Sequence, residues 1–184
     1  MKASIIRSRR KTISLELVSP DEIRIRAPLR MSRREIEDFV RSKESWIIAH
    51  RQRLAEREKK AAQIGAITDE EIAALKKAAR KYIPPRTAYY AAKIGVTYGQ
   101  IAIRTQKTRF GSCSTKGNLN FNCLLMKMPP EIIDYVIVHE LCHRKQMNHS
   151  RAFWAEVEKI LPDYRARRKW LKENGGIYIR AIEE

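Results

Sequence analysis

The stretch that decides the fold runs from Met128 to His149, MPPEIIDYVIVHELCHRKQMNH. It opens on two prolines, which a helix tolerates in its first turn, and Glu131 suits the positive end of a helix dipole. Ile132, Ile133, Tyr135, Val136, Ile137, Val138 and Leu141 follow, so the predicted helix is apolar almost all round. A helix of that kind is buried on every side and central to its domain. Its last turn carries a different chemistry. Three of the four histidines in the chain fall here, at His139, His143 and His149, and Glu140 directly follows the first.

His139 and His143 are four residues apart. At about 100° and 1.5 Å per residue they stand on one face, roughly 40° apart and one turn along. Two imidazoles so placed can share one metal ion. Glu140 projects from the neighbouring position, within reach of an attacking water without being a ligand. That is the physical content of H-E-x-x-H: two zinc ligands and a general base on a single turn. His149 lies six residues past His143 and reaches the same ion only if the chain turns between them. Asn148 is suited to a left-handed turn and Ser150 to capping a new helix. Three neutral imidazoles leave a fourth tetrahedral position open, the arrangement of a catalytic zinc rather than a thiolate-rich structural one. One zinc per chain is expected. His50, in AHRQR on a charged helix, is given no role.

Outward from this helix the chain reads as α+β. Residues 12–27 form a hairpin, with Ile13, Leu15 and Leu17 alternating on one arm and Ile23, Ile25 and Ala27 on the other. Ser32 and Glu35 make a capping-box pattern that starts a long helix through Ile36, Phe39, Val40, Trp46, Ile47 and Leu54. A domain boundary is expected there: residues 1–64 as hairpin plus long helix, and residues 65–184 as the domain with the histidines. Thr68 with Glu71 caps the next helix, which Pro84–Pro85 should interrupt and Gly95 should end. QIAIRTQ reads as a short strand, RFGSCSTKG as a turn or bulge, and NLNFNCLL as an alternating strand that could form the sheet edge along which an extended peptide lies. Ser150 caps a further helix, and the last one should stop at Asn174–Gly175–Gly176.

Bulk composition narrows the function classes. The chain has 184 residues, 43% hydrophobic and 32% charged, as expected of a globular protein. No apolar run reaches the roughly 18 residues of a membrane span. The N-terminal stretch lacks the apolar block and cleavage site of a secretion signal. Cys113, Cys123 and Cys142 are odd in number and lack C-x-x-C spacing, so reduced thiols and a cytoplasmic location are expected. The net charge of +17 creates a field that attracts anions, so nonspecific binding of nucleic acid or nucleotides through the basic surface is expected.

RKTISLEL, TRFGSCSTKGNLNFN, PPEIIDYVIVHELCHRKQMNHSRAFW and LPDYRARRKWLKENGG together span nearly the whole chain. In these segments the sequence resembles the YgjP-like metallopeptidase family, related to the SprT and WLM zinc peptidases. The resemblance implies a zincin-like catalytic domain, helices packed on a small mixed sheet. It implies His139, His143 and His149 as zinc ligands, Glu140 as the catalytic residue and a peptide or protein as substrate. The family more often has Trp at the position of Phe110 and Ala at that of Cys142; neither is a ligand. Gln146 falls where metzincin peptidases carry Gly, so their tight turn is not expected.

A zinc-dependent metallopeptidase is the leading expectation. A metal-dependent hydrolase of a nucleotide or other phosphorylated anion is the alternative enzyme, and a nucleic-acid-associated module with structural zinc the alternative of another class. Arg109, Tyr164 and Asn148 are candidates for stabilising the transition state or binding substrate, each with an ordinary structural role as its competitor.

Overall fold

The computed structural model describes residues 2–182. The chain divides into two compact units, Met1–Gln63 and Ile64–Glu184.

In the first unit, β2 (Ser14–Ser19) and β3 (Glu22–Pro28) pair antiparallel, as the alternation requires. A strand the pattern did not announce, β1 (Lys2–Ser8), adds in parallel to the other side of β3. β3 is therefore central, and its Ile23, Ile25 and Ala27 are buried with Ile36 and Ile47. The expected long helix is two helices, α1 (Arg33–Ser42) and α2 (Glu44–Ile64). Lys43 separates them by leaving the helical region, at φ −106° and ψ 9°. The Ser32–Glu35 capping box is formed in both directions.

The second unit is built around α4 (Pro130–Cys142), which packs against α3 (Asp69–Ile94), α5 (Arg151–Ile160), α6 (Tyr164–Arg180) and the edge of a small sheet. Ten of its thirteen residues are buried, as its all-round apolar sequence demands. The sheet is mixed. β6 (Leu119–Asn122) lies in the middle, parallel to β4 (Ile101–Arg104) and antiparallel to β5 (Gly111–Cys113).

Four expectations are corrected here. α3 runs straight through Pro84 and Pro85. The two carbonyls that lose an amide partner belong to Arg80 and Lys81, both exposed, where water can serve them. The NLNFNCLL strand is cut to four residues and gives way to a 3-10 turn, Cys123–Lys127. Asn122 causes the change: its Oδ1 accepts from the Leu124 amide, and its Nδ2 donates to the carbonyls of Gln106 and Arg109. β6 is interior, and the strands at the edges are β4 and β5, the latter inside the segment read as a turn. Finally, α6 continues through Asn174–Gly175–Gly176. A Cβ on Gly175 would lie 2.7 Å from the Phe110 ring, so the glycine serves a close approach rather than a stop.

α3 and α4 are tied by a cluster in which Asp134 and Tyr90 are buried and Arg86 is half-buried. Arg86 Nε donates to Asp134 Oδ1 at 2.9 Å, Arg86 also pairs with Asp134 Oδ2, and the Tyr90 hydroxyl donates to that oxygen at 2.9 Å. The cluster fixes α4 laterally, one turn before its histidines.

Candidate metal centre

α4 ends at Cys142, and His143 is its C-cap. The amides of Arg144, Lys145 and Gln146 fold back onto Leu141 and Cys142, turning the chain. Ser150 then caps α5, accepting from the Phe153 amide. Asn148 does not enter the left-handed region; among the described residues only glycines have positive φ. Its Oδ1 instead accepts from the Ser150 amide at 3.3 Å. This turn carries His149 back over the end of α4.

The outcome is a convergence of three rings. The ligand atoms of His139, His143 and His149 all lie within 4.8 Å of one another. Nε2 of His139 and Nε2 of His149 are 3.0 Å apart. Nitrogens at about 2.0–2.1 Å from a common tetrahedral ion stand roughly 3.4 Å apart, so the cluster fits an ion with little movement. His143 Nδ1–H donates to the Gln146 carbonyl at 3.0 Å, which leaves the Nε2 lone pair free. His139 Nδ1 is buried with no hydrogen-bond partner among the described residues. Burial, then the neighbouring His143 and His149, then Arg168, hold His139 down to about 3, so it is a neutral ring. Burial and the same kinds of neighbour also lower His149. Neutral imidazoles are what a divalent ion requires.

Phe153 forms the floor. It is fully buried, stacks on His143 at 4.6 Å between centroids and lies 4.9 Å from each of the other two rings. Trp154 stacks on His149 at 5.7 Å. His149 itself is exposed, so the cluster opens to solvent on that side.

Glu140 is buried, 6% exposed, and faces β5. A Cβ on Gly111 would lie 2.6 Å from Glu140 Oε1 and 2.8 Å from its Cγ, so the carboxyl fits only because that residue has no side chain. Burial pushes the Glu140 carboxyl up to about 8, opposed by the charge of Arg109. Arg109 is exposed, and its field reaches Glu140. Tyr164 is buried and stacked on Trp154 at 5.3 Å and 13°, with its hydroxyl accepting from Arg165 Nε. Asn148 is spent on the turn. His50 lies in the first unit, stacked on Trp46, with its Nδ1–H donating to the Trp46 carbonyl. Gly111, the Gln146 carbonyl and Trp154 were not singled out from sequence. Gly111 and Gln146 act through backbone position, which residue type does not advertise; the His-x-x-x-Phe spacing was the available signal for the aromatic floor.

The model of the YgjP-like metallopeptidase domain matches residues 11–74 and 69–174. The chain belongs to the YgjP-like metallopeptidase family. It is therefore a hydrolase, and membership implies a divalent metal and a peptide or protein substrate. Among solved structures, the metallopeptidase zymogen abylysin of Pyrococcus abyssi is 26% identical, at a TM-score of 0.43, over 48% of this chain and 91% of its own. The zymogen jannalysin of Methanocaldococcus jannaschii is 23% identical, at 0.43, over 49% and 91%. No curated protein matches the chain. No helix among the described residues is long and apolar enough to cross a membrane.

Proposed function

We propose that this YgjP-like chain is a zinc-dependent peptidase whose chemistry lies within residues 64–184. His139, His143 and His149 hold one ion, and Glu140 is the general base. The observation that carries the proposal is the convergence of three imidazoles within 4.8 Å at the end of a buried helix, with Glu140 next to the first.

When bound, zinc supplies Lewis acidity toward the attacking water and the scissile carbonyl. Glu140 accepts the proton of that water on a carboxylate oxygen and returns it to the leaving nitrogen. Burial raises its proton affinity above that of an ordinary glutamate, which favours holding the proton until it is passed on. Gly111 leaves room for the carboxyl, and Gln146 holds His143 in the ligating tautomer. The open side at His149 admits the substrate. The three cysteines are free thiols, which supports a reducing, cytoplasmic setting.

Glu140→Gln tests the assignment, because it keeps the side-chain size and removes the base. Zinc content and fold should be retained, while peptide hydrolysis falls at least about a hundredfold. Loss of zinc as complete as in a histidine variant would make Glu140 a ligand or a structural group. Turnover of nucleotides in place of peptides would move the proposal to phosphoanhydride chemistry.

A further inference from the structure

Three arginines stand in the first turn and a half of α6, and two of them are matched by protein groups. Arg165 lies 3.4 Å from a Glu158 oxygen and donates to the Tyr164 hydroxyl. Arg167 Nε donates to Asp163 Oδ2 at 2.9 Å, and its Nη1 donates to the Glu131 carbonyl at 3.0 Å. Arg168 has neither kind of partner among the described residues. Its contact is a ring: the guanidinium carbon lies 4.3 Å from the centroid of Trp154. That same indole stacks on His149 at 5.7 Å and 26°, and sits 5.8 Å from the ring of His139. Tyr164, one helical turn before Arg168, stacks on Trp154 and steadies it.

An exposed cation is thus seated on the aromatic ring that flanks two of the three histidines. Contact with an aromatic face holds a guanidinium plane in place and leaves its N–H edges uncommitted. Those edges match a carboxylate in a bidentate fork. The geometry points to Arg168, seated on Trp154, as a recognition residue for a carboxylate of the peptide bound across the histidine cluster. This rests on the peptidase function proposed above and names a feature of its substrate. The carboxylate comes from an acidic side chain or from the substrate's C-terminus, and the test separates the two.

The probes are three fluorescein-labelled pentapeptides of otherwise identical sequence. One has a central glutamate and an amidated C-terminus, one a central glutamine and a free C-terminus, and one a central glutamine and an amidated C-terminus. Binding is measured by anisotropy to zinc-loaded Glu140→Gln protein, at about 150 mM salt to suppress long-range steering. One carboxylate probe should bind about tenfold more tightly than the neutral one, the scale of a charge-assisted hydrogen bond. Which of the two does so identifies the source. Adding Arg168→Gln should erase the preference, Arg168→Lys should retain part of it, and Lys169→Gln, which removes the same charge nearby, should leave it intact. Equal binding of all three probes would overturn the proposal, as would a preference that survives Arg168→Gln or falls equally with Lys169→Gln. Binding does not depend on turnover. An Arg168-dependent preference in a protein that cleaves no peptide would remove the peptidase function and keep the site; cleavage without a preference would do the reverse.

Discussion

His139 is the ring on which the residue-scale account turns. It is held neutral by burial and by two neighbouring imidazoles, down to about 3. An unfolded chain has the same side chain near 6.5. Below that value the unfolded state takes up a proton that the folded state refuses, so His139 contributes a loss of stability to the metal-free protein as the pH falls from about 6.5 toward 3, while Glu140, raised to about 8, contributes in the opposite direction as its folded-state carboxyl holds a proton that the unfolded one lacks. Between about pH 6.5 and 5 the denaturant midpoint of metal-free His139→Gln should move toward greater stability relative to that of the unsubstituted protein, because the variant lacks the His139 loss; the same pH dependence in both proteins would count against a buried neutral His139. The histidines themselves were legible because their spacing is local and helical. The left-handed turn assigned to Asn148 was not, because a side-chain bond to the Ser150 amide reverses the chain without positive φ.

At the scale of elements, the site depends on where β5 and α3 hold α4. Gly111→Ala would place a methyl 2.6 Å from a Glu140 oxygen. The carboxyl must then shift, and under the proposed role of Glu140 kcat for peptide hydrolysis should fall about tenfold to a hundredfold with zinc retained. Unchanged kcat would show that the carboxyl has room the fold does not suggest. Asp134→Ala leaves Arg86 without its carboxylate between α3 and α4. Arg86 is 35% exposed and can partly rehydrate, so the cost should be about 2 kcal/mol rather than the roughly 3–5 of a fully buried pair. Equilibrium denaturation would read it, and a loss under about 0.5 kcal/mol would mean the cluster contributes little. α4 was legible from its apolar run and its prolines. Pro84–Pro85 and Asn174–Gly175–Gly176 misled because breakers report local preference, while packing around Ile83, Thr87 and Phe110 decides whether a helix continues. β5 stayed hidden because three half-buried residues carry no period long enough to read.

For the whole molecule, the net charge is +17, and several of its arginines are engaged in specific contacts. Arg10 donates to Ser14, Arg51 pairs with Asp21, and Arg167 braces α6 against the start of α4. Clusters such as RARRK, which sequence presents as one basic patch, therefore divide into structural arginines and the uncommitted Arg168. The mixed sheet and central helix of the second unit followed from periodicity and resemblance together. The extra strand β1 did not, because its KASIIRS pattern is exposed along almost its whole length. The claim on which everything functional depends is a single three-histidine ion site, and zinc bound per chain measures it directly. Elemental analysis of the zinc-equilibrated, desalted protein should give about one zinc per chain, the same for His50→Ala, and close to none for His149→Ala. Full zinc in His149→Ala, or equal loss in His50→Ala, would contradict the account.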